Sequence, residues 1–187
     1  MKLYVDGCSF VYGDHLPREY SLANLLNADI DNSECGKSNI AMFEDVYKNI
    51  NDYDTFIIGF TFSGRYTFCN RLNERRHLVP SRYVSHFGDY NGSALDEEKF
   101  IKLTELFIHF SDIAVLDFRS DVYVDSIIDL LKKHNKKYVL FSWEKRNIRN
   151  KDDIFYPTFS EKLKLSDGHL NEQGIQELAK LVRQKYE

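Results

Sequence analysis

The apolar positions change their period along this chain, and the changes mark its elements. Leu3-Tyr4-Val5-Asp6 predicts a short strand that Gly7 ends. Tyr20 to Leu26 predicts a short helix, with Ser21 as its N-cap. Ala28-Asp29-Ile30-Asp31 predicts a weak second strand. Met42, Phe43, Val46, Tyr47 and Ile50 recur at helical spacing and predict a helix from Asn39 to Ile50. Thr55-Phe56-Ile57-Ile58-Gly59-Phe60 is a continuous apolar run rich in β-branched residues, the pattern of a strand buried on both faces of a parallel sheet. From Arg65 to Gly92 no period holds, and we expect an irregular insertion over one edge of the domain. Leu95 to Phe110 predicts a helix with Phe100, Leu103, Leu106 and Phe107 on one face. Ile113-Ala114-Val115-Leu116-Asp117-Phe118 predicts a strand, and Val124, Ile127, Ile128 and Leu131 predict a helix after it. Tyr138 to Trp143 predicts the last strand, and Ile175, Leu178, Ala179 and Val182 the last helix.

Strands alternating with helices imply βαβ units, hence an α/β fold with a mostly parallel central sheet and helices on both of its faces. The 187 residues, 22.0 kDa, fit one domain spanning 1–187, with an insertion around 65–92 and no internal repeat. In sheets of this kind binding sites form beyond the carboxyl ends of the strands, so the residues after each strand are the first to inspect.

Composition removes several classes. With 43% hydrophobic and 29% charged residues, three Pro and nine Gly, the chain is neither collagen-like nor of low complexity. Its 25 basic and 29 acidic residues give −4 and no basic bias, so nothing calls for nucleic acid. Arg71, Arg75, Arg76 and Arg82, interleaved with Tyr66, Phe68 and Tyr83, suit an anionic ligand or RNA, but a solvated insertion accounts for them more simply. Three Cys (Cys8, Cys35, Cys69) without a C-x-x-C pair suggest neither a disulfide framework nor a zinc module, and no metal is expected. The N-terminus reaches Asp6 and Gly7 too early for a signal peptide, and no apolar run approaches the roughly 20 residues of a membrane span. The expectation is a soluble, reduced, cytoplasmic protein with no membrane partner. The 14 Phe and 12 Tyr are read as an aromatic-rich core.

Four stretches fall where a strand end or the approach to a helix faces one cleft: Gly7 to Asp14, Asn32 to Asn39, Thr61 to Arg65, and Asp167-Gly168-His169-Leu170. The chemistry they permit is acyl transfer. A serine hydroxyl attacks well only if a base removes its proton, and a histidine does so when a carboxylate orients its other nitrogen. Ser9, His169 and Asp167 supply those groups. The amides of Ser9 and Gly36 are candidate donors to the oxyanion, since glycine admits close backbone approach. Cys8 is the competing nucleophile, but neighbours on a strand point oppositely and Cys8 reads as a small buried filler. Asp14-His15 reads as a solvated loop, and His77, His86, His109 and His134 lack ligand-like spacing.

In that order, Gly7-Cys8-Ser9-Phe10, Gly36 and Asp167-x-His169 resemble blocks I, II and V of the SGNH hydrolases, the GDSL-like lipase and esterase superfamily. The resemblance runs from residue 3 to about 185, and the opening Gly-Cys-Ser-Phe-x-Tyr-Gly is similar to a subgroup found in phage and bacterial sequences. It implies a three-layer α/β/α sandwich, with Ser9 as nucleophile, His169 as base, Asp167 as orienting acid, and Ser9 and Gly36 as oxyanion amides. It implies a small-molecule or carbohydrate ester as substrate, a small acyl or acetyl group as the one removed, and no cofactor. The family's block III, Gly-x-Asn-Asp, is here Gly59-Phe60-Thr61-Phe62, so Thr61 stands where the third oxyanion donor is expected. Arg65 is the substitute donor of choice and Asn39 a weaker one. Two other functions stay open on these residues: an acyltransferase on the same fold, and a non-catalytic binding or assembly module that has lost the block III Asn.

Overall fold

Strands whose every side chain is apolar or small can be satisfied only between two helical layers. The computed structural model, which describes residues 2–69, 75–78, 102 and 113–186, builds its central sheet on this rule. Strands β1 (Leu3–Gly7) and β3 (Thr55–Phe60) are buried at every position. With β2 (Ile30–Asp31), β6 (Lys137–Ser142) and β7 (Ile154–Phe155) they form a five-stranded sheet in the order β2-β1-β3-β6-β7, with every pairing parallel.

Alternation along each strand divides the core in two. Tyr4, Phe56, Ile58, Phe60 and Leu140 face α3 (Asn39–Asn49) and α4 (Ile113–Lys133), meeting Met42, Val46, Val124, Ile127, Ile128 and Leu131. Leu3, Val5, Ile57, Val139 and Phe141 face α2 (Leu22–Leu26) and α5 (Glu172–Tyr186), meeting Leu22, Ala23, Ile175, Leu178 and Val182. Each such side chain contributes roughly 1.5–3 kcal/mol by leaving water. The architecture is a three-layer α/β/α sandwich. Ser21 caps α2, its Oγ accepting from the Asn24 amide at 3.2 Å, and Ser38 caps α3 in the same way through the Ala41 amide at 3.4 Å.

One expected element is corrected. Residues 113–118 form no strand but the first turns of α4, which runs unbroken to Lys133. No Gly or Pro interrupts 113–133, and a six-residue apolar run cannot be told from a helix segment by period alone. Val115, Phe118 and Val122 of these turns are 47%, 70% and 44% exposed, which a central strand would not allow. Strand β7 was not anticipated. Within the expected irregular insertion, β4 (Tyr66–Cys69) and β5 (Arg75–Leu78) pair antiparallel as a separate two-stranded sheet. Of the helix expected over Leu95 to Phe110 only Lys102 is described, in helical conformation; the rest of it, with 70–74 and 79–92 of the insertion, lies outside the described residues.

Candidate active site

Gly7 and Gly59 are paired partners at the carboxyl ends of β1 and β3. A Cβ on Gly7 would come within 2.3 Å of Val11 Cγ2, and one on Gly59 within 2.5 Å of the same atom. The absent side chains let the short helix α1 (Ser9–Tyr12) sit directly on the strand ends. Gly13, at φ 76°, stops α1 in the left-handed conformation after one turn. Ser9 thus occupies the first helical position, where its amide has no acceptor within the helix.

Far along the chain, a turn brings Asp167 and His169 to the same place. The Gly168 amide donates to Leu165 O at 3.0 Å, and the Leu165 amide to His169 O at 2.7 Å. Gly168 has φ 90°, which a side chain would make strained. Asp167 accepts twice from His169: Oδ1 from the backbone amide at 3.0 Å and Oδ2 from ring Nδ1 at 2.8 Å. With Nδ1 carrying the proton, Nε2 is left as an acceptor, and it lies 2.9 Å from Ser9 Oγ. The ring of Phe10 stacks on the imidazole, centroids 4.5 Å apart and planes 25° apart, fixing its orientation. The structure therefore brings Ser9, His169 and Asp167 together in series.

His15 joins them, although its sequence neighbourhood read as a solvated loop. Its Nε2 lies 3.0 Å from Asp167 Oδ2, the same oxygen that serves His169, and its backbone φ is 66°. No spacing rule pairs residue 15 with 167; the left-handed backbone after Asp14 was the missing signal. Burial alone would raise the Asp167 carboxyl, but the hydrogen bonds from the amide and ring of His169, with the electrostatic pull of His169 and His15, outweigh it and hold the group below its usual range. These two rings and the Asp167 carboxylate place ligand-capable atoms within 4.8 Å of one another, close enough to enclose a metal ion.

The candidate oxyanion donors fare differently. Gly36 holds a turn at φ 78°, a conformation glycine adopts without cost. Asn39 has both amide protons committed, to Thr61 O at 3.1 Å and Ser120 Oγ at 2.7 Å, while its Oδ1 accepts from the Thr61 amide at 3.0 Å. It serves as a clamp on the end of β3 with no proton left for a substrate oxygen. Thr61 is fully buried, its carbonyl also accepting from Arg146 Nη2, and its hydroxyl has no hydrogen-bond partner. Arg65 has Nε and Nη1 buried without partners, and its guanidinium lies over the Phe62 ring at 5.6 Å. The Cys8 side chain is fully buried, and the Cys35 thiol is pushed up to about 12 by burial and by Asp14, so Cys35 is no ready thiolate.

Beneath the site lies a buried charge cluster that sequence patterning does not reveal. Lys37, next to Gly36, is fully buried and donates to Asp6 Oδ1 at 2.7 Å and Asn32 O at 2.6 Å, with Asp45 Oδ2 also at 2.7 Å. Tyr4 donates to Asp6 Oδ2 at 2.9 Å while accepting from Asn32 Nδ2 at 2.9 Å, and the Gly7 amide donates to Asp6 Oδ1 at 2.7 Å. Two carboxylates share one ammonium. Burial pushes Asp6 up to about 6, against the pull of Lys37. For Lys37 the desolvation penalty is outweighed by Asp6 and Asp45, so its ammonium is held above its usual range. The cluster ties β1, the Asn32–Lys37 loop and α3 into one unit under Ser9 and Gly36.

No family model matches the chain, and no curated protein matches it. Among solved structures, it is similar to a protein placed in the lipolytic G-D-S-L family from Desulfitobacterium hafniense DCB-2, with 11% identity, a TM-score of 0.41, and 96% of this chain and 95% of that one covered. It is also similar to LAE5, an alpha/beta hydrolase enzyme from the metagenome of Lake Arreo, Spain, with 14% identity, a TM-score of 0.39, and 95% and 91% covered. Among the described residues no helix is long and apolar enough to cross a membrane.

Proposed function

We propose that this chain is an SGNH-type serine hydrolase that cleaves small acyl esters through an acyl-enzyme. The observation that carries the reading is the unbroken series from Ser9 Oγ to His169 Nε2, and from His169 Nδ1 to Asp167. Ser9 Oγ attacks the carbonyl carbon as His169 Nε2 takes its proton, and Asp167 stabilises the imidazolium that results. The oxyanion meets the amides of Ser9 and Gly36. Collapse expels the alcohol, which leaves with the proton held by His169. A water molecule then attacks the acyl group, gives its proton to Nε2, and restores Ser9. The Gly7-Cys8-Ser9-Phe10 and Asp167-x-His169 resemblances support the same roles.

A fluorophosphonate probe should label the wild-type protein at Ser9, with p-nitrophenol released from p-nitrophenyl acetate. Ser9→Ala should lose both while melting at the wild-type temperature. Full turnover in Ser9→Ala would rule out the nucleophile, and an unlabelled, inactive wild type would favour a non-catalytic module. Product analysis with an added hydroxyl acceptor separates hydrolysis from acyl transfer.

A further inference from the structure

Beyond the end of β3, a cavity of about 280 Å³ opens between the start of α3, the loop after β3 and the first turns of α4. Its wall carries Arg65, Arg119, Ser63 and Tyr123, and its polar floor is Asn39 and Ser120, already hydrogen-bonded to each other. Among the described residues two arginines line it and no carboxylate does. Arg146 and Arg149, by contrast, are matched: Arg146 meets Asp121 at 3.2 Å and Glu144 at 3.0 Å, and Arg149 meets Asp129 at 2.7 Å. Glu144 of this network is held by Arg146 and by the Ser63 amide, which donates to it at 2.8 Å. Among the described residues Arg65 has no such match, yet its Nε and Nη1 are shielded from water and unpartnered. Buried donors on a cation carry a large desolvation cost unless something accepts from them.

A chain of ring contacts leads from the cavity to the nucleophile's surroundings. Arg65 lies over Phe62, whose ring is 6.1 Å from that of Phe10, the residue after Ser9 and the one stacked on His169. The charge of Arg65 also acts on Cys35, which precedes Gly36.

We propose that this cavity binds an anionic group, a carboxylate or a phosphate, carried by the ester that Ser9 attacks, with Arg65 as its principal ligand and Arg119 as the second. The substrate is then an anionic ester rather than a neutral lipid. This inference rests on the hydrolase reading, so its test has one part that needs no turnover. Inorganic phosphate and benzoate are titrated calorimetrically into wild type, Ser9→Ala, Arg65→Gln and Arg65→Lys. At least one anion should bind wild type and Ser9→Ala alike, bind Arg65→Gln about tenfold or more weakly, and bind Arg65→Lys in between. Binding of neither anion, or equal binding to Arg65→Gln, overturns the site.

The second part compares kcat/KM within two pairs: 3-acetoxy-4-nitrobenzoate against 2-nitrophenyl acetate, and mono-4-nitrophenyl terephthalate against 4-nitrophenyl benzoate. A preference for the charged member should appear in one pair, which tells whether the anion sits on the alcohol or the acyl side. Arg65→Gln should lower that ratio about tenfold. Ratios near one in both pairs, or an equal loss on both members, overturn the assignment, the latter placing Arg65 at the oxyanion instead. If the anion binds but wild type hydrolyses none of the four esters, the hydrolase reading fails and the anion site stands.

Discussion

Replacing Lys37 with Met is the most demanding test of how this site is supported. The side chain is fully buried, and two carboxylates, those of Asp6 and Asp45, depend on it at 2.7 Å each. Met fills a similar volume without clash, so the loss is electrostatic. Removing one partner from a buried ion pair costs about 3–5 kcal/mol, because a buried charge loses the ammonium that compensated its desolvation. A urea slope of about 2 kcal/mol/M turns this into a midpoint shift of about 2 M. The sign with pH is fixed. Even with Lys37 present, Asp6 is raised from 3.8 to about 6 on folding. That group therefore stabilises the fold most below pH 4 and loses this contribution as pH rises through 6, a swing of about 3 kcal/mol. Without Lys37 the folded-state value of the Asp6 carboxyl rises further, so Lys37→Met should be destabilised most at pH 8 and recover much of the loss near pH 4.5. Urea melts of wild type, Lys37→Met and Lys37→Met/Asp6→Asn/Asp45→Asn, each followed by tryptophan fluorescence at both pH values, read this directly. The triple variant should regain stability at pH 8. A loss in Lys37→Met below about 1 kcal/mol at pH 8, or one that does not change with pH, would refute the electrostatic reasoning.

Two further outcomes follow from the geometry of the strand ends and of the relay. Gly7→Ala places a methyl 2.3 Å from Val11 Cγ2, so thermal unfolding should report a loss of about 1–3 kcal/mol, with esterase activity falling as α1 and Ser9 are displaced. His15→Gln removes a second imidazole from Asp167 Oδ2, one of the groups that hold this carboxyl below its usual range; the carboxylate is then left more fully to His169, so the acid limb of the kcat/KM–pH profile should move to higher pH, and an unchanged limb would mean that His15 does not act on the relay.

Local pattern carried much of this protein. The continuous apolar run 55–60 is buried throughout, as a two-sided strand must be, and the spacing of Met42, Val46 and Ile50 sets the buried face of α3. Gly7 before Ser9, and Asp167 two residues from His169, were legible because close packing and a tight turn demand those residue types locally. The stretch 113–118 was misread because a short apolar run has no period of its own, and only its position on α4, with Val115 and Phe118 turned to solvent, decides it. Other features have no local signature at all. His15 reaches Asp167 across 152 positions of chain because of the backbone after Asp14, Asn39 clamps Thr61 rather than facing a substrate, and Lys37 gathers two acids from β1 and α3. A sequence determines which residues must leave water and which turns they can make, because those preferences act over a few residues. Which charges share a buried space, and which arginine is left without a counter-ion, depends on distances between segments far apart in the chain, and only the folded arrangement of the sheet and its helices decides them.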